Sequence, residues 1–571
     1  MRSGVPWLIA MAALSRLGGA QDAMQLSWTT DLTSWDYFPG RIFGPDGPWQ
    51  AVAVFAGDSL KYRYGTPVPL WPSASDANEI PTIGAGGNYS VANSSSAVDR
   101  EVMSSSPIAY PPAFNLSADG KLYFDDITLS RGIYGDPEKT NGSIFAAETR
   151  QRTLPNGKKL DETVGVLGFG PNRERFRPED VGAAEWPSIL EQLKKDKKIG
   201  SSSFSVHVGS VPFEQSGSLV LGGYDQTRVV GETGVFSLPD NSEPFMPLLD
   251  VVLGVETGSS PFGSDGQISV YTGLGDDDVG KMATLMTGEI GGPPGSALVV
   301  PNPAVPYIYL PPGTCEEAAK HLPVSIDSDL GLYLWNTSDP RFGRMVNSPA
   351  YLGFVFSDKS ATNLTVKVPF QLLNLTLTAP LVDEPTAYFP CQTDKPQVGF
   401  WQLGRAFLQG AFWAVDFDAK LTYLAQAPGP KMGGSVLKTI GEGGETPKGV
   451  ESRLEVSWED HWTVLGKDGG GLSPGAIAGI VVGVVVLLGG TFAAAFVLLR
   501  RKRKARAVEE DKEKPLSGKL WVSWWKGAEM QGTPVQELEA PDEMCEAPGV
   551  ELAHEISGRD NAAELPASPT K

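Results

Sequence analysis

Val164-Gly165-Val166-Leu167-Gly168-Phe169-Gly170-Pro171 is an apolar run cut short by its own glycines and a closing proline. Such short runs, bounded by turn formers, read as strands rather than helices. The pattern recurs outward from there. It appears at Phe204-Ser205-Val206, at Gly217-Ser218-Leu219-Val220-Leu221-Gly222-Gly223-Tyr224-Asp225, and at residues 51–55, 307–310, 364–368 and 412–415. With 66 Gly and 46 Pro in 571 residues, the chain from about 49 to 426 reads as mainly β with few helices. Two helical patterns stand out, residues 187–198 with Pro at the start and lysines at the end, and residues 315–321.

Composition excludes several functions. The 47 Lys+Arg against 67 Asp+Glu give a net charge of −20, which argues against nucleic acid, since phosphate binding needs concentrated cations. The 24 Phe, 15 Tyr and 14 Trp supply a core. Three Cys and four His with no CxxC pair leave no zinc site, and no cofactor or metal is expected. Asp276-Asp277-Asp278 lacks the alternating oxygen ligands of a calcium loop and reads as a solvated charge run. The glycine loops 254–266 and 288–295 are not followed by the Lys-Ser/Thr of a phosphate cradle. His207 sits in a strand pattern, His321 closes a helix and His461 lies far along, so no Ser–His–Asp set can be assembled.

Address signals frame the chain. Arg2, an apolar stretch and Gly18-Gly19-Ala20 predict a signal peptide over 1–20. Residues 475–499 carry no charge and are long enough to span a bilayer, and the cationic run 500–506 follows at once. The positive-inside bias then predicts a single-pass protein of the plasma membrane or cell surface, its N-terminus outside and a disordered cytoplasmic tail over 500–571. Sequons at Asn88, Asn93, Asn115, Asn141, Asn336, Asn363 and Asn374 all fall on the expected outer side. Cys315 and Cys391 lie there too and can pair in an oxidising compartment, whereas Cys545 should be a free thiol. Residues 429–474, rich in Gly, Lys and Glu, read as a stalk in which 454–465 could form a local element. Gly475, Gly479 and Gly483 share a helix face that would allow homodimer packing. The basic run 500–506, with Trp521, Trp524 and Trp525, would meet anionic lipid.

Residues 164–171, the following Pro187-Ser188-Ile189-Leu190-Glu191-Gln192-Leu193, the 217–225 hairpin and Leu403-Gly404-Arg405-Ala406-Phe407-Leu408 stand in the order found in pepsin-like aspartic proteases, which this chain resembles from 49 to 426. The anchor and acidic tail resemble fungal members. The resemblance implies a bilobal fold with an N-terminal lobe over 45–235 and a C-terminal lobe over 236–428. It also implies a disulfide between Cys315 and Cys391, a flap over 109–120 and a cleft for an extended peptide. The family needs one Asp-Thr/Ser-Gly loop per lobe, because two carboxylates sharing a proton activate water and protonate the amide.

No such triplet occurs anywhere in the chain. By its neighbours, Asn302-Pro303-Ala304 stands at the C-lobe loop and Ser73 at the N-lobe loop. A shifted register would instead make Asp76 the catalytic residue. Tyr110, the lone tyrosine of the flap stretch, reads as a packed strand aromatic. Neither an amide nor an unassisted hydroxyl exchanges protons near neutral pH. The expectation is a catalytically degenerate surface module binding an extended peptide or a cell-wall ligand. The competing expectation is an active membrane-anchored endopeptidase with a nonstandard site.

Overall fold

Two stretches, one in each half of the chain, build the same crossed-strand motif. The computed structural model describes residues 23–28, 45–47, 49–56, 68–75, 78–82, 89–103, 105–106, 108, 110–131, 137–171, 187–240, 243–264, 266–273, 295–394, 400–441, 443–451 and 453–466. The expected signal peptide, Asn88, Asp76, the Asp276–Asp278 run, the membrane span 475–499 and the tail lie outside them. Among the described residues no helix is long and apolar enough to cross a membrane.

In the first half the motif comprises β1 (Val68–Ser73), β2 (Asn78–Pro81), β3 (Glu138–Thr153) and β4 (Gly165–Gly168). β4 runs parallel to β1, with Ser73 beside Gly168, and antiparallel to β2, which runs parallel to β3. The second half repeats this with β5 (Ala297–Pro301), β6 (Ile308–Leu310), β7 (Cys391–Thr393) and β8 (Trp401–Leu403). β8 is parallel to β5 and antiparallel to β6, and β6 is parallel to β7. β1, β4, β5 and β6 are buried along their whole length and are mostly apolar, as suits strands covered on both faces.

Each motif extends into an eight-stranded sheet. In the first, strand Leu116–Leu129 pairs both with Val52–Ala56 and with β3, so the sheet closes on itself. A six-stranded sheet takes strands from both halves of the chain. Its central pair joins Ser203–His207 to Ala411–Asp416, and these are flanked by Ser218–Leu221 and Leu421–Gln426. Phe204 packs edge-on against Trp413 at 5.3 Å across that seam. The mainly β architecture with few helices agrees with the sequence reading.

Among the described residues the helices are few and short. Ile189–Lys195 is started by a capping box in which Ser188 and Glu191 satisfy each other's backbone N–H groups. Thr314–His321 is tied to β7 by the Cys315–Cys391 disulfide, with Cα atoms 5.8 Å apart.

The stretch expected to be a stalk is instead packed onto the lobes as far as it is described. Leu437–Thr439 pairs with Gly223–Asp225, and Ile440 and Trp458 are buried. Trp458 stacks on Trp462 at 4.9 Å and meets Phe213 at 5.6 Å. The polar composition concealed a few large apolar side chains, and burying those outweighs the ordering cost of the glycines around them.

Candidate functional site

Ser73 and Asn302 occupy equivalent places. Each follows a proline, Pro72 or Pro301, at the end of a motif strand, and the next turn begins there. Proline restricts Trp71 and Val300 before it to extended backbone, which holds both tips in one geometry. Ser73 Oγ accepts from the Ser75 amide at 3.1 Å, and Asn302 Oδ1 accepts from the Ala304 amide at 2.9 Å. Asn302 Nδ2 donates to Gln402 Oε1 at 2.5 Å. Each loop rests on a glycine: a Cβ on Gly170 would come within 2.2 Å of Ala74 O, and one on Gly404 within 2.3 Å of Tyr307 O. Both tips are buried and both hold neutral, locally satisfied groups, so neither can shuttle a proton near neutral pH. Asp76, the shifted-register candidate, lies outside the described residues.

Among the described residues, a buried charge cluster is built from other segments than the two tips. Arg152 of β3 is buried and reaches Asp46 Oδ2 at 3.1 Å, Glu162 Oε1 at 3.0 Å and, in the other lobe, Tyr307 Oη at 3.1 Å. Tyr388 donates to the Asp46 carbonyl, and Tyr307 meets Tyr388 edge-on at 6.0 Å. Burial pushes the Tyr307 phenol up, keeping it neutral. Burial likewise lifts the Glu162 carboxyl above its ordinary range, with Arg152 pulling the other way. Beneath the flap-like connection, buried Glu79 of β2 takes hydrogen bonds from Ser106, Arg150 and, at 3.2 Å, Tyr110. That connection carries a 3-10 turn over Pro112–Phe114, and the Ala113 amide donates to Asp394 Oδ1 of the other lobe at 3.2 Å. Tyr110 is therefore half-buried and hydrogen-bonded, tilted against Phe114 at 6.0 Å.

Arg405 follows Gly404 and begins the short helix Arg405–Leu408. Its guanidinium lies 4.0 Å from the Trp71 ring centroid and 5.2 Å from that of Trp49, and it donates to Pro303 O at 2.8 Å. Among the described residues it forms no ion pair. One wall of a cavity of about 250 Å³ is Arg405; Asp46, Trp71, Asp161–Val164 and Thr378–Pro380 complete most of the rest. Neither Ser73 nor Asn302 lines that cavity. Sequence reasoning passed over Arg405 although it stands directly after the Leu-Gly that marks β8, and it passed over Asp46, Arg152 and Glu162, a cluster in which Arg152 joins nearby Glu162 to the remote Asp46 and Tyr307.

The remaining candidates fall into structural roles. His207 is buried, with Nε2 3.0 Å from Gln409 O and Nδ1 3.2 Å from Arg228, so it has no hydroxyl to activate. His461 packs against Phe213. Among the described residues no cluster of His, Cys, Asp and Glu could hold a metal. Asn93, Asn115, Asn336 and Asn363 are exposed, whereas Asn141 and Asn374 are half-buried with their side-chain oxygens enclosed.

No family model matches the chain, and no described protein matches it in sequence. Among solved structures it is similar to the crystal structure of an aspartic proteinase from Irpex lacteus. The identity is 15% over 71% of this chain and 97% of that one, with a TM-score of 0.46. Likeness at that level assigns no activity.

Proposed function

We propose that this chain is an aspartic-protease-like, cell-surface binding module without peptidase activity. The observation that carries the reading is the pair of equivalent tips, where Ser73 and Asn302 each satisfy the amide two residues on and neither offers a carboxylate. Losing one general acid–base group forfeits about 10²–10⁴ in rate, and here two are missing. Contacts of Arg152 with Tyr307, of Arg405 with Trp71 and of Ala113 with Asp394 join the two halves of the chain. The buried disulfide and the four exposed sequons fit an oxidising, extracellular setting.

A statine-type inhibitor mimics the tetrahedral intermediate and needs the two facing carboxylates for its hydroxyl. Added to the purified full chain, it should leave the unfolding temperature unchanged. A saturable upward shift would contradict the reading.

A further inference from the structure

The sequence holds two Asn-Gly steps, Asn141-Gly142 and Asn156-Gly157, and the fold treats them in opposite ways. Asn141 and Gly142 lie within β3, paired with Asp126 and Asp125 of strand Leu116–Leu129, and Gly142 is buried. Asn156 and Gly157 stand at the exposed tip between β3 and strand Lys159–Asp161. Gly157 is left-handed at φ +82°, and a Cβ there would meet nothing within 4 Å.

Hydrogen bonding at the tip favours an intramolecular reaction. The Lys158 amide donates to Asn156 Oδ1 at 2.9 Å, closing a ring that contains both Asn156 Cγ and the Gly157 nitrogen. The same N–H stabilises the negative charge that Oδ1 gains when that nitrogen attacks Cγ. With no side chain on Gly157, nothing obstructs the approach. The Gly157 N–H is held by the Leu154 carbonyl at 2.8 Å, a turn bond at an exposed tip that local opening releases. Releasing the Asn141-Gly142 step instead requires two long paired strands to part.

We propose that Asn156 is a site of spontaneous deamidation that loosens a contact between the two halves of the chain. The Gly157 nitrogen bonds to Asn156 Cγ, the Cγ–Nδ2 bond breaks, and Nδ2 leaves as ammonia with the proton from that nitrogen. Water then opens the cyclic imide at either carbonyl, giving aspartate or isoaspartate. The tip meets the turn 327–331 of the second half: the Asn156 amide donates to Asp329 O at 3.3 Å, and a Cβ on Gly331 would lie 3.0 Å from Pro155 Cγ. That turn already carries Asp327 and Asp329, so a carboxylate at position 156 opposes the contact by like-charge repulsion. Isoaspartate adds a backbone methylene and displaces the turn itself. The inference goes beyond the binding-module reading and does not depend on it.

Peptide mapping by mass spectrometry tests it on the full chain, folded or in urea, during prolonged incubation at neutral to mildly alkaline pH. In the folded chain Asn156 should exchange its amide for an acid at least about tenfold faster than Asn141. In urea, where both steps are free, the two rates should come within about threefold of each other. Equal conversion of the two steps in the folded chain would overturn the proposal, as would an intact Asn156 amide after the urea sample has converted. Asn156→Asp supplies one product directly, and the amide of residue 156 should then exchange its hydrogen at least about tenfold faster. Unchanged exchange in that variant would refute the loosening.

Discussion

The guanidinium of Arg405 lies 4.0 Å from the ring centroid of Trp71, joining the helix after β8 in one lobe to β1 in the other. A desolvated cation over an indole contributes about 2 kcal/mol beyond its packing. Trp71→Ala should therefore lower the unfolding free energy by about 3–5 kcal/mol, the usual range for a buried Trp, whereas Trp71→Phe should recover most of it. Denaturant midpoints at constant m-value would check this. Equal losses in the two variants would show that the cation contact contributes nothing.

Burial, and then the neighbouring Arg228, push the His207 imidazole down to about 3 from an ordinary value near 6.5. The sign follows from which state binds the proton. Between those two values the unfolded chain is protonated and the folded one is not, so stability falls as pH drops through that window. The facing groups are Arg228, Asp225 and the Gln409 carbonyl, and none of them replaces the lost proton affinity. A slope of up to about 1.4 kcal/mol per pH unit should be seen on acidification from near neutral pH, and His207→Gln should reduce it by about one proton's worth. An unchanged slope in that variant would refute the assignment.

The disulfide closes a long loop by tying β7 to the helix Thr314–His321. Replacing both Cys315 and Cys391 with Ala should cost about 2–5 kcal/mol. Thermal unfolding of the double variant gives the value, and a loss below about 1 kcal/mol would mean that the packed C-lobe needs no cross-link.

Removing residues 429–571 should leave a chain that fails to fold or aggregates. The deletion takes away the strand paired with Gly223–Asp225 and uncovers the surface filled by Ile440, Leu454 and Trp458. A truncation at residue 466 should fold. Comparable stability of the two truncations would reinstate the stalk.

Much of the β-rich fold was legible because local patterning and tertiary packing agree. The Val164–Gly170 run is buried in β4 and its close surroundings, Ser218–Leu221 lies inside the shared sheet beside Ser203–His207, and Gly223–Asp225 pairs with Leu437–Thr439 in a separate two-stranded sheet. Pro72-Ser73 and Pro301-Asn302 could be aligned because each ends an apolar run. The interlobe cluster was not legible. Asp46, Arg152, Glu162 and Arg405 come from four separate segments, and each reads alone as a surface charge. The stretch after residue 428 misled for a related reason: its average composition is polar, while Trp458 and Ile440 bury against residues far upstream.

The central claim is that Ser73 and Asn302 leave the two motif tips without acid–base chemistry. Cleavage of a mixed peptide library by the purified full chain, followed by mass spectrometry from acid to neutral pH, tests it most directly. The account predicts no cleavage above the rate without protein, and none after restoring Asn302→Asp alone, because its partner tip still lacks a carboxylate. Cleavage that a statine-type inhibitor blocks and that disappears in Asp76→Asn would contradict it.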